Sequence, residues 1–459
     1  MDCRANATNL HMKTIRNPIH WKLPCGLLLL SALTNPPALG EEKGPAKSPA
    51  QPVGGNAAAS FTEAFTKGKF NFIALLRYEY ADQRNLQEAQ LLSIRPRFGF
   101  TTAAYYGLQG MIEAENITAI TDDDLYNAAG SNGQPGRTVI ADPETTELNQ
   151  AWLSYSNCDS VLKAGRQRIV FDNSRWVGDV IWRQNQQTYD SVRLDNASIP
   201  DLSLSYSYVW HVNRIFGDVS GLPLGNQDYD SDSHLFHAEY AGLKGMKLVG
   251  YVYLMDFDHP AAAIQNNSNA TYGGYIQGAW TWDKERNGKL NYRGEFAWQT
   301  DYGNSALDYS APFVAAELTA DYGRFTLGAG YELLESDKNT SLRMPFSTLH
   351  AFDGWADVFL TAPAPADGLQ DLYAVAAVRL PYEVPLRVLF HQFYSAKGGA
   401  DYGQELDAVV SRKFGKHFTA LVKYAHYEGG DAVQFAAPPA ARTPAFDKDV
   451  FWAQVEFNF

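Results

Sequence analysis

Hydrophobic and polar residues alternate along this chain from about residue 70 to its end. In the last ten residues, Phe451, Val455 and Phe457 fall on one face of a predicted strand, and Gln454 and Glu456 fall on the other. Aromatic rings on one face and polar groups on the other fit a wall with hydrocarbon outside and water inside. Taken alone, the segment also fits the edge of a soluble sandwich.

The same period of two recurs in segments of roughly 9 to 14 residues, long enough for a tilted strand to cross a bilayer. We predict eighteen such strands. They begin near Phe70, Glu88, Ala104, Glu147, Val161, Gln186, Asp201, Asp232, Met246, Thr271, Gly288, Pro312, Gly323, Leu372, Val384, Tyr402, Lys416 and Lys448.

Short and long connections between these strands alternate. Connections after even-numbered strands are tight, and most of those after odd-numbered strands are long. A barrel with both termini in the periplasm produces this pattern, because its turns are short inside and its loops are long outside. The sequence therefore predicts an all-β fold, an antiparallel transmembrane outer-membrane β-barrel of about 18 strands.

The longest predicted connection spans residues 335–371. It contains Phe346, Phe352, Trp355 and Phe359, more apolar surface than a solvated loop would carry. We expect this connection to be ordered and packed into or across the pore mouth.

The first 60 residues differ in composition from the rest. Residues 1–40 have the order of an export signal, with basic Lys13, Arg16 and Lys22 before an apolar stretch and a small-residue cleavage site. Residues 41–60 are rich in Pro, Ala, Gly and Lys and predict a flexible periplasmic tail. Residues 61–459 then form the barrel, placed in the outer membrane among its lipids and lipopolysaccharide. The net charge of −13 argues against a nucleic-acid partner.

Alternation places several arginines on the inner face. Arg95, Arg97 and Arg293 have apolar neighbours on the opposite face, and Arg166, Arg168 and Arg193 are also phased inward. They could pair with inward acidic residues and stiffen the wall. They could equally form a guanidinium track for an anionic solute, since each exposed Arg–carboxylate contact contributes roughly 0.2 to 1 kcal/mol and guanidinium matches planar carboxylates.

Residues 165–194 are the least generic stretch. An Arg-bearing strand is followed by a loop with Arg175, Trp176, Trp182 and Arg183, and then by a returning strand. Because this loop is so apolar, we expect it to fold back into the lumen and narrow the pore. An extracellular cap packed on itself is the alternative. Asp172 and Asp190 are candidate partners for the guanidinium groups.

This stretch resembles the alginate export family of outer-membrane porins, which share a GRQ…DN.R..G….WRQN.QT.D pattern, and residues 349–357 and 368–373 also look like the family. The chain matches the pattern at Gly165, Arg166, Gln167, Asp172, Asn173, Arg175, Gly178, Trp182, Arg183, Gln184, Asn185, Gln187, Thr188 and Asp190. The resemblance implies an 18-stranded barrel that conducts a polyuronate through an arginine-lined constriction. The chain departs from the characterised alginate exporter in having no long periplasmic turn to plug the pore.

The first functional hypothesis is an outer-membrane channel for diffusion or export of an alginate-like anionic polysaccharide, with possible periplasmic secretion partners. A general or carbohydrate/carboxylate-type porin for small solutes is the alternative, and an outer-membrane enzyme or adhesin is third. No hydrolase, zinc-protease or phosphate-loop motif occurs, so we predict no enzyme, cofactor or metal site. The predicted pore-lining residues are Arg95, Arg97, Arg166, Arg168, Arg175, Arg183, Arg193 and Arg293, supported by Asp172, Asp190, Trp176 and Trp182.

Overall fold

Antiparallel strands dominate the computed structural model, which describes residues 57–219, 221–360, 363–434, 442–443 and 446–459. Within these residues, eighteen long strands form one sheet that closes on itself. They are β1 (Lys69–Gln83), β2 (Ala89–Thr101), β3 (Leu108–Ala119), β4 (Thr145–Asn157), β5 (Ser160–Gln167), β6 (Thr188–Ile199), β7 (Leu202–Asn213), β8 (Tyr229–Leu243), β9 (Met246–Met255), β10 (Asn269–Asp283), β11 (Gly288–Asp301), β12 (Ser310–Tyr322), β13 (Phe325–Leu334), β14 (Leu369–Leu380), β15 (Val384–Tyr394), β16 (Asp401–Phe414), β17 (Phe418–Gly429) and β18 (Lys448–Asn458).

Pairing of the first strand with the last closes the barrel. β1 pairs with β2 on one side and with β18 on the other, where Tyr78 lies opposite Ala453. The start of β1 and the end of β18 lie on the rim that also carries the tight turns, such as residues 158–159 and 200–201. The predicted strand number and the common side of the two termini are confirmed.

Short elements lie outside the eighteen strands. In the described part of the chain there are two α-helices, α1 (Phe61–Thr66) before the first strand and α2 (Ala262–Gln265) in a loop. The 3-10 turns are Asp123–Leu125, Leu224–Asn226, Leu349–Ala351 and Pro381–Glu383, and the two-residue strands are Phe257–Asp258, Ser336–Asp337, Thr340–Ser341, Val433–Gln434 and Arg442–Thr443. Among the described residues, no helix is long and apolar enough to span a membrane.

The two faces of the wall have the polarity that the alternation predicts. On β11, Phe296 and Trp298 are 55% and 42% exposed on the outside, whereas Glu295 and Gln299 are buried on the inside. On β2, Phe98 is exposed on the outside and Arg97 is buried on the inside. In a membrane, the outer side chains meet hydrocarbon while the polar ones are solvated or paired within the barrel.

Two long connections fold into the lumen and pair with each other. Loop A (residues 168–187) joins β5 to β6, and loop B (residues 335–368) joins β13 to β14. The backbone N–H of Gly178 in loop A donates to the carbonyl of Phe346 in loop B at 2.7 Å, and Thr348 N–H donates to the Ser174 carbonyl at 3.0 Å. Each loop therefore supplies backbone hydrogen bonds to the other, as buried backbone groups require.

Aromatic rings of both loops pack against the inner wall. Trp176 of loop A meets Phe313 edge-on at 5.1 Å between ring centroids, and Trp182 meets Trp452 in the same way at 5.5 Å. Phe359 of loop B packs on Phe393 at 4.8 Å. The expectation that loop A folds back into the lumen is confirmed, as is the expectation that loop B packs there, for the residues of loop B that the structure describes.

Candidate functional site

Arg175 anchors loop A to loop B and to the wall. Its guanidinium group forms an ion pair with Glu332 of β13 and donates to Asp353 of loop B at 2.9 Å. The Phe352 ring lies 4.7 Å from the guanidinium carbon, and the side chain is 1% exposed. Burial raises the pKa of Asp353 to about 6, against the attraction of Arg175. Arg175 is thus sealed inside the protein.

Arg183 makes a second anchor between the loops and the wall. It donates to Asp357 of loop B at 2.6 Å and to Glu79 of β1 at 3.3 Å. Next to it, Arg77 of β1 donates to the carbonyl of Trp182 at 2.6 Å and stacks on the indole at 4.4 Å. These contacts hold the end of loop A against the start of the barrel.

Lys423 of β17 lies in a cage formed by both loops. Its Nζ is 2.6 Å from Nε2 of His350, 3.8 Å from the centre of the Trp355 ring and 4.1 Å from that of Trp182. Nδ1 of His350 is 2.8 Å from Asp357. Burial lowers the pKa of His350 to about 3, with Asp357 opposing this change and Lys423 adding to it. The imidazole is therefore neutral at ordinary pH.

Arg95 and Arg97 also lie on the inner face without reaching open space, since each is 1% exposed. Arg95 donates to the carbonyl of Gln184 in loop A at 2.9 Å. Arg97 forms an ion pair with Glu115 of β3 at 2.6 Å. Both arginines fit the wall-stiffening hypothesis better than contact with a solute.

The structure places Arg166 differently from the expectation. It shares the strand face of exposed Leu162 and Ala164, and its partner Asp190, at 2.9 Å, shares the face of exposed Leu194. The pair therefore faces outward near the end of β5, not into the lumen. Such a charged pair is tolerated there because the hydrocarbon band ends before the rim.

Arg168 and the tryptophans of loop A have structural partners. Arg168 follows the last residue of β5 and forms an ion pair with Asp179 in loop A. Nε1 of Trp176 donates to Glu295 at 2.9 Å, and Trp182 stacks on His350 at 4.5 Å. Arg168 is 22% exposed, so part of its guanidinium group remains accessible at the rim.

Among the inward cations that keep part of their surface exposed, we group four as the cationic arc: Lys163 of β5, Arg193 of β6, Lys247 of β9 and Arg293 of β11. The exposed fractions are 14% for Arg193, 31% for Lys247 and 16% for Arg293, and Lys163 is half-buried. Lys163 and Arg193 are directly opposite each other across β5 and β6.

Each member of the cationic arc has fixed neighbours. Arg193 binds Asp195 at 2.8 Å, Lys247 binds Glu239 at 3.0 Å, and Arg293 binds Glu295 at 2.6 Å. Lys163 lies 4.4 Å from the centre of the Trp152 ring. The carboxylates reduce the net charge of the arc but leave N–H groups directed at the lumen, since a guanidinium has five donors and an ammonium three.

Tyr275 links two members of the arc to loop A. Its ring lies 3.6 Å from the guanidinium carbon of Arg293 and 5.4 Å from Nζ of Lys247. Its hydroxyl donates to Asp172 at 2.6 Å, and Asp172 also pairs with His237 at 3.0 Å. Burial alone would raise the pKa of Asp172, but the hydrogen bonds from His237 and Tyr275 outweigh burial and lower it. Asp172 was expected to hold a guanidinium directly, and the structure differs because Tyr275 stands between them.

Sequence reasoning missed Lys163, Lys247 and Tyr275. It looked for arginines, while the exposed lining mixes arginine and lysine. The period of two gave the necessary signal, since Lys163 alternates with exposed Leu162, and Lys247 precedes the inward Val249 by two residues. Within the described residues, no cluster of His, Cys, Asp and Glu has a metal-binding arrangement.

Comparison with known proteins gives a family match and a set of structural neighbours. The model of the alginate export family matches residues 120–333. A search of the curated proteins finds no significant match.

The structural neighbours are porins with low sequence identity. The crystal structure of Pseudomonas aeruginosa OpdK with vanillate has a TM-score of 0.65 at 12% identity, covering 86% of this chain and 99% of that one. Acinetobacter baumannii OccAB2 has a TM-score of 0.64 at 12% identity, with the same coverage. At such identity, these neighbours show the fold alone. Together with the family match over residues 120–333, they support the resemblance drawn from the motif: the chain is similar to the alginate export family and has the fold of an outer-membrane β-barrel.

Proposed function

We propose that this barrel is a channel for small anionic solutes, which move along the cationic arc. The observation that carries the proposal is the contrast between two groups of cations. Arg193, Lys247 and Arg293 keep exposed N–H groups on the inner wall, whereas Arg175 and Arg183 are sealed in ion pairs. The sealed arginines hold the loops, and the arc is left to meet a solute.

Weak individual contacts suit transport. An exposed ion pair contributes roughly 0.2 to 1 kcal/mol, so one carboxylate is attracted to Arg193 or Arg293 without being trapped. The guanidinium groups of Arg193 and Arg293 each have more N–H donors than Asp195 and Glu295 use. A solute carboxylate can therefore accept from the remaining N–H groups without displacing these two partners.

The packing of loops A and B favours small solutes over a polymer. Rings from both loops fill the lumen against Phe313, Trp452 and Phe393, and the loops are joined to each other by backbone hydrogen bonds. OpdK, one of the structural neighbours, was crystallised with vanillate, a small aromatic carboxylate. A solute of that class needs a narrower opening beside the loops than a polysaccharide chain does.

Export of an alginate-like polyuronate is the second candidate. The alginate export match over residues 120–333 favours it. A chain of uronates would meet the same cationic arc, but its passage would require loops A and B to leave the lumen. That movement would break the buried contacts of Arg175 and Lys423.

Purified protein in a planar bilayer tests the proposal. We expect stable conductance with anion selectivity, and current reduced by a millimolar small carboxylate at lower concentration than by a neutral sugar. Arg193→Gln and Arg293→Gln should each shift the reversal potential toward cation selectivity. Arg412→Gln is the matched control, because Arg412 is exposed beside Phe414 on the opposite face of the wall.

Three results would contradict the proposal in different ways. If the Arg193→Gln/Arg293→Gln double variant kept the selectivity of the parent, the cationic arc would not determine which ions the channel conducts. Block by oligouronates but not by small carboxylates would favour polyuronate export. If a folded barrel gave no conductance, both the small-anion channel and the polyuronate exporter would be excluded.

A further inference from the structure

An exposed aromatic cluster surrounds the helix that precedes the barrel. Phe61 and Phe65 of α1 are 67% and 49% exposed, and they lie one helical turn apart with their rings 5.2 Å from each other. Tyr106 in the adjacent turn is 82% exposed and Phe70 at the start of β1 is 77% exposed. In water, so large an apolar surface would promote association.

This helix is fixed to the rim and is not a loose extension. The backbone N–H of Ala58 donates to the Ala104 carbonyl at 2.8 Å, and Ala103 N–H donates to the Ala64 carbonyl at 2.7 Å. The small side chains of Ala58, Ala64 and Ala103 are buried in that contact. The direction in which Phe61 and Phe65 point is therefore set by the fold.

The opposite side of α1 is polar and closed on itself. The Ser60 hydroxyl accepts a hydrogen bond from Glu63 N–H at 3.2 Å, and the Glu63 carboxylate accepts one from Ala59 N–H at 2.8 Å. Lys67 pairs with the same carboxylate at 2.8 Å. The helix thus presents charges on one side and bare rings on the other, as interfacial helices do.

The rings of α1 continue into the lipid-facing wall. The ring of Phe65 stacks on that of Phe100 at 6.5 Å between centroids, and Phe100 in turn contacts Phe70 at 4.7 Å. Two residues further along β1, Phe72 contacts Phe98 of β2 at 4.7 Å. Phe98 lies on the outer face of β2 and is 60% exposed. One unbroken aromatic surface therefore runs from the hydrocarbon-facing wall onto the helix.

We infer that α1, with Phe61, Phe65, Phe70 and Tyr106, is an interfacial foot that lies in the lipid headgroup–acyl boundary on the tight-turn side of the barrel. The occupant of the aromatic surface is lipid, because the surface is continuous with the wall that lipid already covers. Aromatic side chains are favoured at this depth, where their rings are shielded and their polar edges stay hydrated. This inference does not depend on which solute the channel carries.

Fluorine NMR of the full chain in lipid nanodiscs tests the foot. 4-Fluorophenylalanine is placed singly at Phe61 or Phe65, at Phe98 as a lipid-facing reference, and at Leu224 as a reference exposed in a loop. Dissolved oxygen relaxes nuclei in lipid more strongly, and a gadolinium chelate relaxes those in water. We expect Phe61 and Phe65 to respond like Phe98, with strong relaxation by oxygen and weak relaxation by gadolinium.

Either of two other responses would overturn the inference. Relaxation of Phe61 and Phe65 by gadolinium to the level of Leu224 would place the helix in water. Protection from both reagents would mean that protein covers the rings, either a second copy of the chain or a periplasmic partner. Phe98 and Leu224 calibrate the relaxation expected in lipid and in water, because both are measured in the same folded barrel.

Discussion

Nζ of Lys423 lies 2.6 Å from Nε2 of His350, between the rings of Trp182 and Trp355. Two basic nitrogens at this distance share one hydrogen, so the Lys423 amine donates and Nε2 of a neutral imidazole accepts. A second proton would put two adjacent cations in a buried site, where their repulsion is poorly screened. The contact therefore fastens loop B to β17 only while the imidazole is neutral.

Acidification should loosen loop B. Burial lowers the pKa of His350 to about 3, whereas in the unfolded chain it is near 6.5. The folded state binds fewer protons between these values, so this group's contribution to stability is complete above about pH 6.5 and falls by about 1.4 kcal/mol per pH unit from there to about pH 3. We expect channel conductance to rise between about pH 7 and about pH 4.

The variant His350→Gln keeps hydrogen-bonding groups but cannot titrate, so its conductance should be much less sensitive to pH than that of the parent. His417→Gln is the control, since His417 is exposed on the tight-turn rim. Charges of Asp357, Lys423 and Arg183 face His350 and are unchanged in both variants. An equal pH response in parent and His350→Gln would exclude the contact as the acid-sensitive element.

Tyr275 should control the orientation of Arg293. Tyr275→Leu removes the ring 3.6 Å from the guanidinium group, a contact that contributes roughly 0.5 to 1 kcal/mol. We expect reversal potentials to move toward cation selectivity. Tyr275→Phe keeps the ring and loses only the hydrogen bond to Asp172, so its selectivity should stay close to that of the parent. Equal shifts in the two variants would show that the ring is not what positions Arg293.

Loss of Arg175 should destabilise the barrel strongly. Arg175→Met leaves the carboxylates of Glu332 and Asp353 buried without their cation, which costs roughly 3 to 5 kcal/mol. The exposed pair of Arg84 with Asp447 supplies the control, and Arg84→Met should cost about 1 kcal/mol or less. Reversible urea unfolding in lipid vesicles measures both, and similar midpoints would contradict a buried anchoring role.

Removing much of loop B should widen the passage. Deletion of residues 341–365 takes away Phe346, Trp355 and Phe359, which pack inside the barrel. Single-channel conductance should rise. Deletion of residues 133–136 is the control, because Gly133 and Gly136 have open space around them. A deletion of 341–365 that leaves conductance unchanged in a folded barrel would place loop B clear of the conducting path.

The sequence alone determined the wall of this protein. A period of two fixes which residues of a strand face lipid, and tight turns leave few alternatives for pairing. The predicted starts therefore differ from the observed ones by four residues at most, at β3, which begins at Leu108 where Ala104 was expected. The inward positions of Arg95, Arg97, Arg193 and Arg293 followed from the same alternation.

The alternation of apolar and polar residues does not predict side-chain direction at the rim, where the outer face of the barrel no longer meets hydrocarbon. The prediction that Arg166 points inward assumed that a charged side chain avoids the outer face along the whole strand. Near the end of β5, that face can hold an Arg–Asp pair, and Arg166 with Asp190 occupies it. The inward prediction for Arg166 is therefore wrong.

Only the tertiary structure decided which inward cations remain open. Arg175 meets Glu332, and Lys423 meets His350, between segments that are far apart in the sequence. Local periodicity gives the direction of a side chain but not the loop that folds over it. Whether a cation is sealed or exposed depends on ion pairs and ring contacts that form only when loops A and B enter the closed barrel.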